Sequence, residues 1–236
     1  MPISVVLPAH NEAGNIARLV TETVSSVPEA LLGEIIVVDD CSDDGTAAEL
    51  RALGLAKLRC LRHGRRAGQS AALRSGVRAA RFPVIVTMDG DGQNDPRDIT
   101  ALVGRLGEAE CGEPALVGGV RTNRRATGSR RWASLFANRL RAYLLADECP
   151  DTGCGIKAFH RAAFLTLPYF ATMHRYLPAL FLTYGHEVAY LPVNDRPRLA
   201  GQSKYTNFGR ALVGVYDLFG VAWLRRRTVL PPVTEG

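Results

Sequence analysis

The stretch VTMDGDGQND, residues 86–95, sets two aspartates, Asp89 and Asp91, one residue apart straight after the apolar run Val84-Ile85-Val86. Carboxylates that close repel, so such a pair is usually kept for something positive. Mg²⁺ and Mn²⁺ prefer oxygen ligands, and Mg²⁺ is commonly held by one or two carboxylates together with substrate phosphates. Asp89 and Asp91 can therefore grip a divalent cation, with the amide oxygen of Gln93 as a further donor. Gly90 and Gly92 allow a ligand close to the backbone. Asp and Gly also favour turns, and taken alone the D-x-D spacing reads as one.

The surroundings change that weighing. The first part of the chain alternates short β-branched runs with segments whose apolar residues recur at helical spacing. ISVVLPA, EIIVVDD, KLRCLRH, PVIVTMDGD and PALVGGVR read as strands. The segments beginning at Asn11, Ser42, Gly68 and Pro96 read as helices, the first capped by Asn11 and the third opened by a glycine. Strands alternating with helices predict an α/β fold, a mostly parallel Rossmann-like sheet with helices on both faces. Ligands of such sheets bind outside the carboxyl ends of the strands. Pro8 to Glu12, Asp39-Asp40, Asp89 to Gln93 and Arg121 all follow strand ends, which points to one shared site. Glu12 at a helix start also complements the macrodipole.

Beyond residue 121 the pattern is more irregular. Residues 121–141 are dense in arginine and are followed by DTGCGIKAFHR, MHRYLPAL, the strand-like EVAYLPV and RPRLAGQSKY. With 47% hydrophobic and 22% charged residues the composition is that of a folded globular protein, not a disordered chain. A net charge of +6 suggests an anionic partner: nucleic acid, an acidic membrane surface or a phosphorylated substrate. Five cysteines without a C-x-x-C pair fit reduced thiols better than a disulfide or zinc site. MPISVVLPAHNE runs straight into a strand with no basic, apolar leader, so no signal peptide is expected and a cytoplasmic location is.

The ordered series LPAHNE, IIVVDDCSDDGT, GQSAALRSG, VTMDGDGQNDP, GVR, DTGCGIKAF and GQSKY resembles the family 2 glycosyltransferases, and within them the dolichyl-phosphate mannosyltransferase-like, polyprenyl-phosphate branch. The resemblance implies a GT-A fold, a nucleotide-sugar donor with GDP-mannose the typical one, Mg²⁺ or Mn²⁺, and inverting transfer. By that resemblance Pro8, His10 and Glu12 lie in the first nucleotide-contacting loop, and Asp39 reads the base or ribose. Asp89, Asp91 and Gln93 hold the metal. Arg121, Arg131, Arg198 and Lys204 surround the diphosphate and acceptor phosphate, and Arg175 stands where the family has a basic residue. Gly68, Gln69, Gly90 and Ser203 complete the expected donor-binding set. Gly201, Ser203 and Lys204 suit a flap closing over phosphate oxygens.

A hydroxyl acceptor needs a carboxylate base. A lipid phosphate is already anionic and needs cations instead. The arginine-rich stretch, and the lack of the ED and Q-x-x-R-W motifs of processive synthases, favour a polyprenyl phosphate acceptor. Asp91, Arg121, Arg131 and Asp151 are then expected to carry the reaction, Asp151 as base or as arginine-orienting residue. The alternatives are transfer from a UDP-sugar to a hydroxyl, or a non-catalytic binder. Trp132, Phe136 and Tyr143 interleave the arginines as in nucleic-acid binders, but strand-end carboxylates repel nucleic acid, so none is expected as partner. Residues 1–206 are expected to form the catalytic domain and 207–236 an amphipathic helix and tail. Phe208 to Leu224 is shorter than the roughly 20 residues of a spanning helix. Arg210 and Asp217 share one face of it, and Arg225 to Arg227 follow. The segment thus reads as an interfacial helix, peripheral at the cytoplasmic face of a membrane, or as a helix packed on the domain.

Overall fold

The protein is described here as a computed structural model covering residues 1–107, 113–122, 141, 144–197 and 207–231, with side chains of the last segment from Gly214 onward. Short apolar runs form β1 (Ile3–Ala9), β2 (Leu32–Asp39), β3 (Leu58–Arg62) and β4 (Val84–Thr87), joined through α1 (Ile16–Ser26), α2 (Thr46–Ala52) and α3 (Gln69–Ala79). The chain continues with a 3-10 turn at Pro96–Asp98, α4 (Ile99–Arg105), β5 (Pro114–Arg121), β6 (Lys157–His160) and α5 (Arg161–Thr166). A second 3-10 turn at Met173–Arg175, α6 (Leu177–Thr183), β7 (Glu187–Val193) and α7 (Asn207–Arg227) complete the described elements.

The strands make one sheet in the order β3-β2-β1-β4-β6-β5-β7. β6 pairs antiparallel with both β4 and β5; the other pairings are parallel. The mostly parallel sheet is as expected. The strand-like EVAYLPV is β7, but the irregular second half hides β6, a four-residue KAFH run with no alternation to betray it.

Successive strand residues face opposite sides, and here both sides are covered. Val6, Ile36, Val38, Ile85, Leu116 and Phe159 pack with α3, α5 and α6 on one face. Val5, Leu7, Ile35, Val37, Val86, Val117 and Ala158 pack with α1 and α4 on the other. Burial on both faces is why the central strands read as unbroken apolar runs. Reversal of β6 has a direct consequence for position. Its first residue, Lys157, pairs with Thr87 at the end of β4. The loop 151–156 is therefore delivered to the same sheet edge as the ends of the parallel strands.

α7 packs on the domain with Leu218, Val221 and Ala222. Its Asp217 accepts a hydrogen bond from Thr172 Oγ1 at 2.5 Å, and the Gly214 carbonyl accepts one from Tyr176 Oη at 3.0 Å. Asp217 and the Gly214 carbonyl thus face the protein. Val215, Tyr216, Phe219 and Trp223 point outward, with Tyr216 81% and Trp223 63% exposed. No helix among the described residues is long and apolar enough to cross a membrane.

Candidate active site

The loop after β1 is knitted to the loop after β2. His10 Nδ1 donates to the Asp40 carbonyl (2.9 Å), the Asn11 N–H to Ser42 Oγ (2.9 Å) and the Glu12 N–H to Thr46 Oγ1 (2.9 Å). Asn11 does not cap α1 as its position suggested. It sits at φ 54° and its amide exchanges hydrogen bonds with Asp43, which turns the chain earlier, and α1 starts only at Ile16. The Glu12 carboxylate accepts from Asn15 Nδ2.

The paired acids after β2 divide their work. Both are buried. Asp40 accepts from the Ala67 and Gly68 N–H groups and from His63 Nδ1, at 2.7–2.8 Å. Burial pushes its carboxyl up, but these donors outweigh it and hold the pKa below the usual range. Asp40 thereby shapes the turn that enters α3, where Gly68 adopts φ 89°, a conformation side chains resist. Asp39 accepts the Ser42 N–H through Oδ1 (2.8 Å), whereas its Oδ2 is buried without a hydrogen-bond partner, with Arg62 Nε 3.6 Å away. Buried polar atoms are almost always satisfied, so this oxygen is suited to a ligand donor such as a hydroxyl or ring N–H.

Asp89 and Asp91 follow β4 directly. The Asp89 N–H donates to Asn94 Oδ1 (3.0 Å), Gln69 Nε2 donates to Asp89 Oδ1 (2.7 Å), and the Gln93 N–H donates to Asp91 Oδ1 (3.1 Å). Burial first, and then the charge of Asp91, push the Asp89 pKa up; Lys157, Gln69 and Arg121 oppose this. A bound dication would reverse that upward pressure. Gln93 turns its amide nitrogen toward the Arg196 carbonyl at 3.5 Å. Two carboxylates and an amide oxygen are hard donors that fit Mg²⁺ or Mn²⁺. No group of three His, Cys, Asp or Glu side chains gathers as a metal site among the described residues. The remaining ligands would have to come from substrate.

Glycines make the room. A Cβ on Gly155 would lie 2.4 Å from the Asp89 carboxyl carbon, and one on Gly90 3.0 Å from the Pro8 carbonyl. Beside them Arg121, at the end of β5, donates through Nε and Nη2 to both oxygens of Asp151 at 2.7 and 2.8 Å. Both partners are largely buried. Asp151 is thus placed to orient a guanidinium.

A cavity of about 260 Å³ opens beside Asp89, lined by Pro8, Gln69, Thr87, the 152–155 backbone turn, Lys157, His174 and Arg175 among others. It gathers Pro8, Gln69, Asp89 and Arg175 of the expected set. His10, Glu12, Asp39, Gly90, Asp91, Gln93 and Arg121, at or after strand ends, lie outside its lining, as does Gly68 at the start of α3. Arg131, Arg198, Ser203 and Lys204 lie outside the described residues. Sequence reasoning missed Lys157 and His174. Lys157 stands in the DTGCGIKAF stretch, but its burial within β6 shows only in the fold. His174, whose Nδ1 is 2.7 Å from Ser70 Oγ, carried no signal.

The profile of glycosyl transferase family 2 matches residues 4–167. The chain belongs to that family. This glycosyltransferase is 31% identical over 98% of its length to the dodecaprenyl-phosphate galacturonate synthase of Rhizobium johnstonii. It is 32% identical over 92% of its length to the undecaprenyl-phosphate 4-deoxy-4-formamido-L-arabinose transferase of Enterobacter sp. (strain 638). It spans 69% and 66% of those relatives' own lengths, about two thirds in each case. Among solved structures it is similar to glucosyl-3-phosphoglycerate synthase from Mycobacterium tuberculosis in complex with Mn²⁺, UDP and phosphoglyceric acid. The TM-score there is 0.72 at 22% identity, covering 97% of this chain and 79% of that one. The same enzyme with Mn²⁺, UDP-glucose and phosphoglyceric acid superposes with TM-score 0.71 at 23% identity, covering 95% of this chain and 79% of that one. The GT-A-like fold expected from the sequence is the fold observed.

Proposed function

We propose that this glycosyltransferase moves a sugar, with inversion, from a nucleotide-sugar donor to a polyprenyl phosphate, with Mg²⁺ or Mn²⁺ held at Asp89 and Asp91. One observation carries the reading. Asp89 is the sole carboxylate among the described residues that line the cavity, and Asp151 beside it gives both oxygens to Arg121. A hydroxyl acceptor would need a base; a phosphate needs only positive charge to hold it. Both curated relatives are named for polyprenyl phosphates.

In this scheme Pro8, His10, Glu12 and Gly68 frame the nucleotide, and the orphaned Asp39 oxygen accepts from its base or ribose. When bound, the ion supplies charge neutralisation for the departing diphosphate. Arg121, locked by Asp151, holds the acceptor phosphate, joined on the resemblance by Arg131, with Arg198, Ser203 and Lys204 closing over the site. Mannose from GDP-mannose finds no support among the relatives, which are named for other sugars, and the solved neighbours include complexes with UDP and UDP-glucose. A UDP-linked donor is therefore proposed in its place. The 1–206 and 207–236 division stands as a proposal, as does peripheral membrane binding through the outward face of α7. Its aromatic side chains and the following Arg225–Arg227 suit an anionic lipid surface.

The test is transfer from labelled UDP-sugars to a short polyprenyl phosphate with Mn²⁺. Wild type should form the lipid product and Asp91→Ala should not. Full activity of Asp91→Ala, or transfer to hydroxyl acceptors alone, overturns the reading.

A further inference from the structure

The 3-10 turn Met173–Arg175 carries two of the side chains that line the cavity, His174 and Arg175. A turn this short does little to hold itself in place. The backbone N–H groups of Met173, Arg175 and Tyr176 each bond only three residues back, at 2.9–3.1 Å, and 3-10 hydrogen bonds have poorer geometry than those of an α-helix. The position of His174 and Arg175 is therefore set by what grips the turn from outside.

Two elements grip it. On one side is the first turn of α3. Ser70 Oγ accepts the His174 N–H at 3.3 Å and lies 2.7 Å from its Nδ1. Ser70 is fully buried and follows Gln69, the donor to Asp89. On the other side is α7. Thr172 Oγ1 donates to Asp217 at 2.5 Å, and Tyr176 Oη donates to the Gly214 carbonyl at 3.0 Å. These two contacts fall on the residue before the turn and the residue after it. Met173 and Tyr176 are buried in the same apolar cluster as Leu218, Val221 and Ala222 of α7. Those apolar contacts suffice to seat the helix on the domain. The polar pair adds something else, since both of its members brace the ends of one cavity-lining turn. A guanidinium beside the Asp89 carboxylate suits phosphate oxygens, and a misplacement of about 1 Å in a substrate-holding group can cost about 100-fold in rate.

We propose that α7 is part of the active-site frame, with Asp217 a positioning residue. Through Thr172, and beside the Gly214–Tyr176 bond, it sets His174 and Arg175 in the cavity, where Arg175 holds phosphate oxygens of the donor or the acceptor. The inference rests on the proposed glycosyl transfer and adds to its machinery a residue outside the cavity. It is separate from membrane docking, because Asp217 faces the protein while Tyr216, Phe219 and Trp223 point outward.

The experiment is transfer by the full chain, with Mn²⁺ and without membranes, from a panel of labelled UDP-hexoses, UDP-hexuronates and UDP-pentoses to a short polyprenyl phosphate. Asp217→Ala and Thr172→Val delete the same hydrogen bond from its two ends, and each should lower kcat/KM about 10- to 100-fold. Asp217→Asn keeps an acceptor oxygen and should stay within about 3-fold of wild type. In a His174→Ala, Arg175→Met background, Asp217→Ala should cost less than about 3-fold more, because the groups it positions are gone. Thermal melts confirm folding, and Thr172→Val serves if Asp217→Ala fails to fold. Calorimetry separates the two sources of phosphate. Weaker Mn²⁺-dependent UDP binding in Asp217→Ala assigns Arg175 to the diphosphate. A raised acceptor KM with UDP binding intact assigns it to the acceptor phosphate. Full activity of Asp217→Ala and Thr172→Val overturns the inference and leaves the proposed function intact. A loss that persists undiminished in the His174→Ala, Arg175→Met background overturns it too, since Asp217 would then support the fold at large. So does a loss seen only when the acceptor is presented in liposomes, which assigns α7 to membrane docking alone. No lipid product from the wild type overturns the proposed function and this inference with it.

Discussion

Replacing Asp151 with asparagine separates a base from an orienting residue. Arg121 donates to Asp151 through Nε at 2.7 Å, Nη2 at 2.8 Å and its backbone N–H at 3.3 Å. The two side chains are 17% and 7% exposed, so solvent screens the pair only weakly. Removing one member of a buried pair costs about 3–5 kcal/mol. Asparagine keeps the shape and one acceptor oxygen, which offsets part of this, and the net loss should be about 2–3 kcal/mol. For a chain of this size that lowers Tm by roughly 5–10 °C. Arg121, freed from its clamp, should misplace the acceptor phosphate and reduce turnover by about 100-fold. The assays are urea unfolding and a pH profile of lipid-product formation. An orienting role leaves the acid limb of the profile in place in the variant. Unchanged stability together with loss of the acid limb would falsify the orienting role and make Asp151 the base.

Gly155→Ala places a Cβ 2.4 Å from the Asp89 carboxyl carbon. Overpacking should cost about 1–3 kcal/mol and weaken Mn²⁺-dependent UDP binding at least about 10-fold. Equal affinity by titration contradicts the tight fit. Changing Tyr216, Phe219 and Trp223 together to serine should abolish sedimentation with anionic liposomes without loss of fold, since all three point outward; undiminished binding removes α7 as the membrane face. Asp40 has a folded pKa below its unfolded value, so its stabilisation is complete above about pH 4 and is lost as pH falls through the lowered folded pKa. Asp40→Asn should accordingly be less stable at neutral pH and show a shallower decline below pH 4 in denaturant titrations. Parallel curves for the two proteins contradict this role.

What the sequence determined by itself was the first half of the molecule. Unbroken apolar runs such as ISVV and PVIV must be buried on both faces, and burial on both faces requires a parallel sheet flanked by helices. Residues at the ends of such runs come to the same end of the sheet, which is why Pro8, Asp39, Asp89 and Arg121 were legible as strand-end neighbours. Tertiary structure decided what depends on partners distant in sequence. KAFH has no periodicity of its own, and only its pairing with Thr87 and Leu116 neighbours turns it into the reversed strand that brings Lys157 and Gly155 to Asp89. Asp151 reads as a base or, by preference, as an arginine-orienting residue, and only the fold shows Arg121, thirty residues away, on both its oxygens. The face that α7 presents to the domain was settled in the same way, by Thr172 and Tyr176 reaching it from another loop. Local pattern specifies an element through its own period; the role of a charge is set by whichever opposite charge or hydrogen-bond donor the fold places against it.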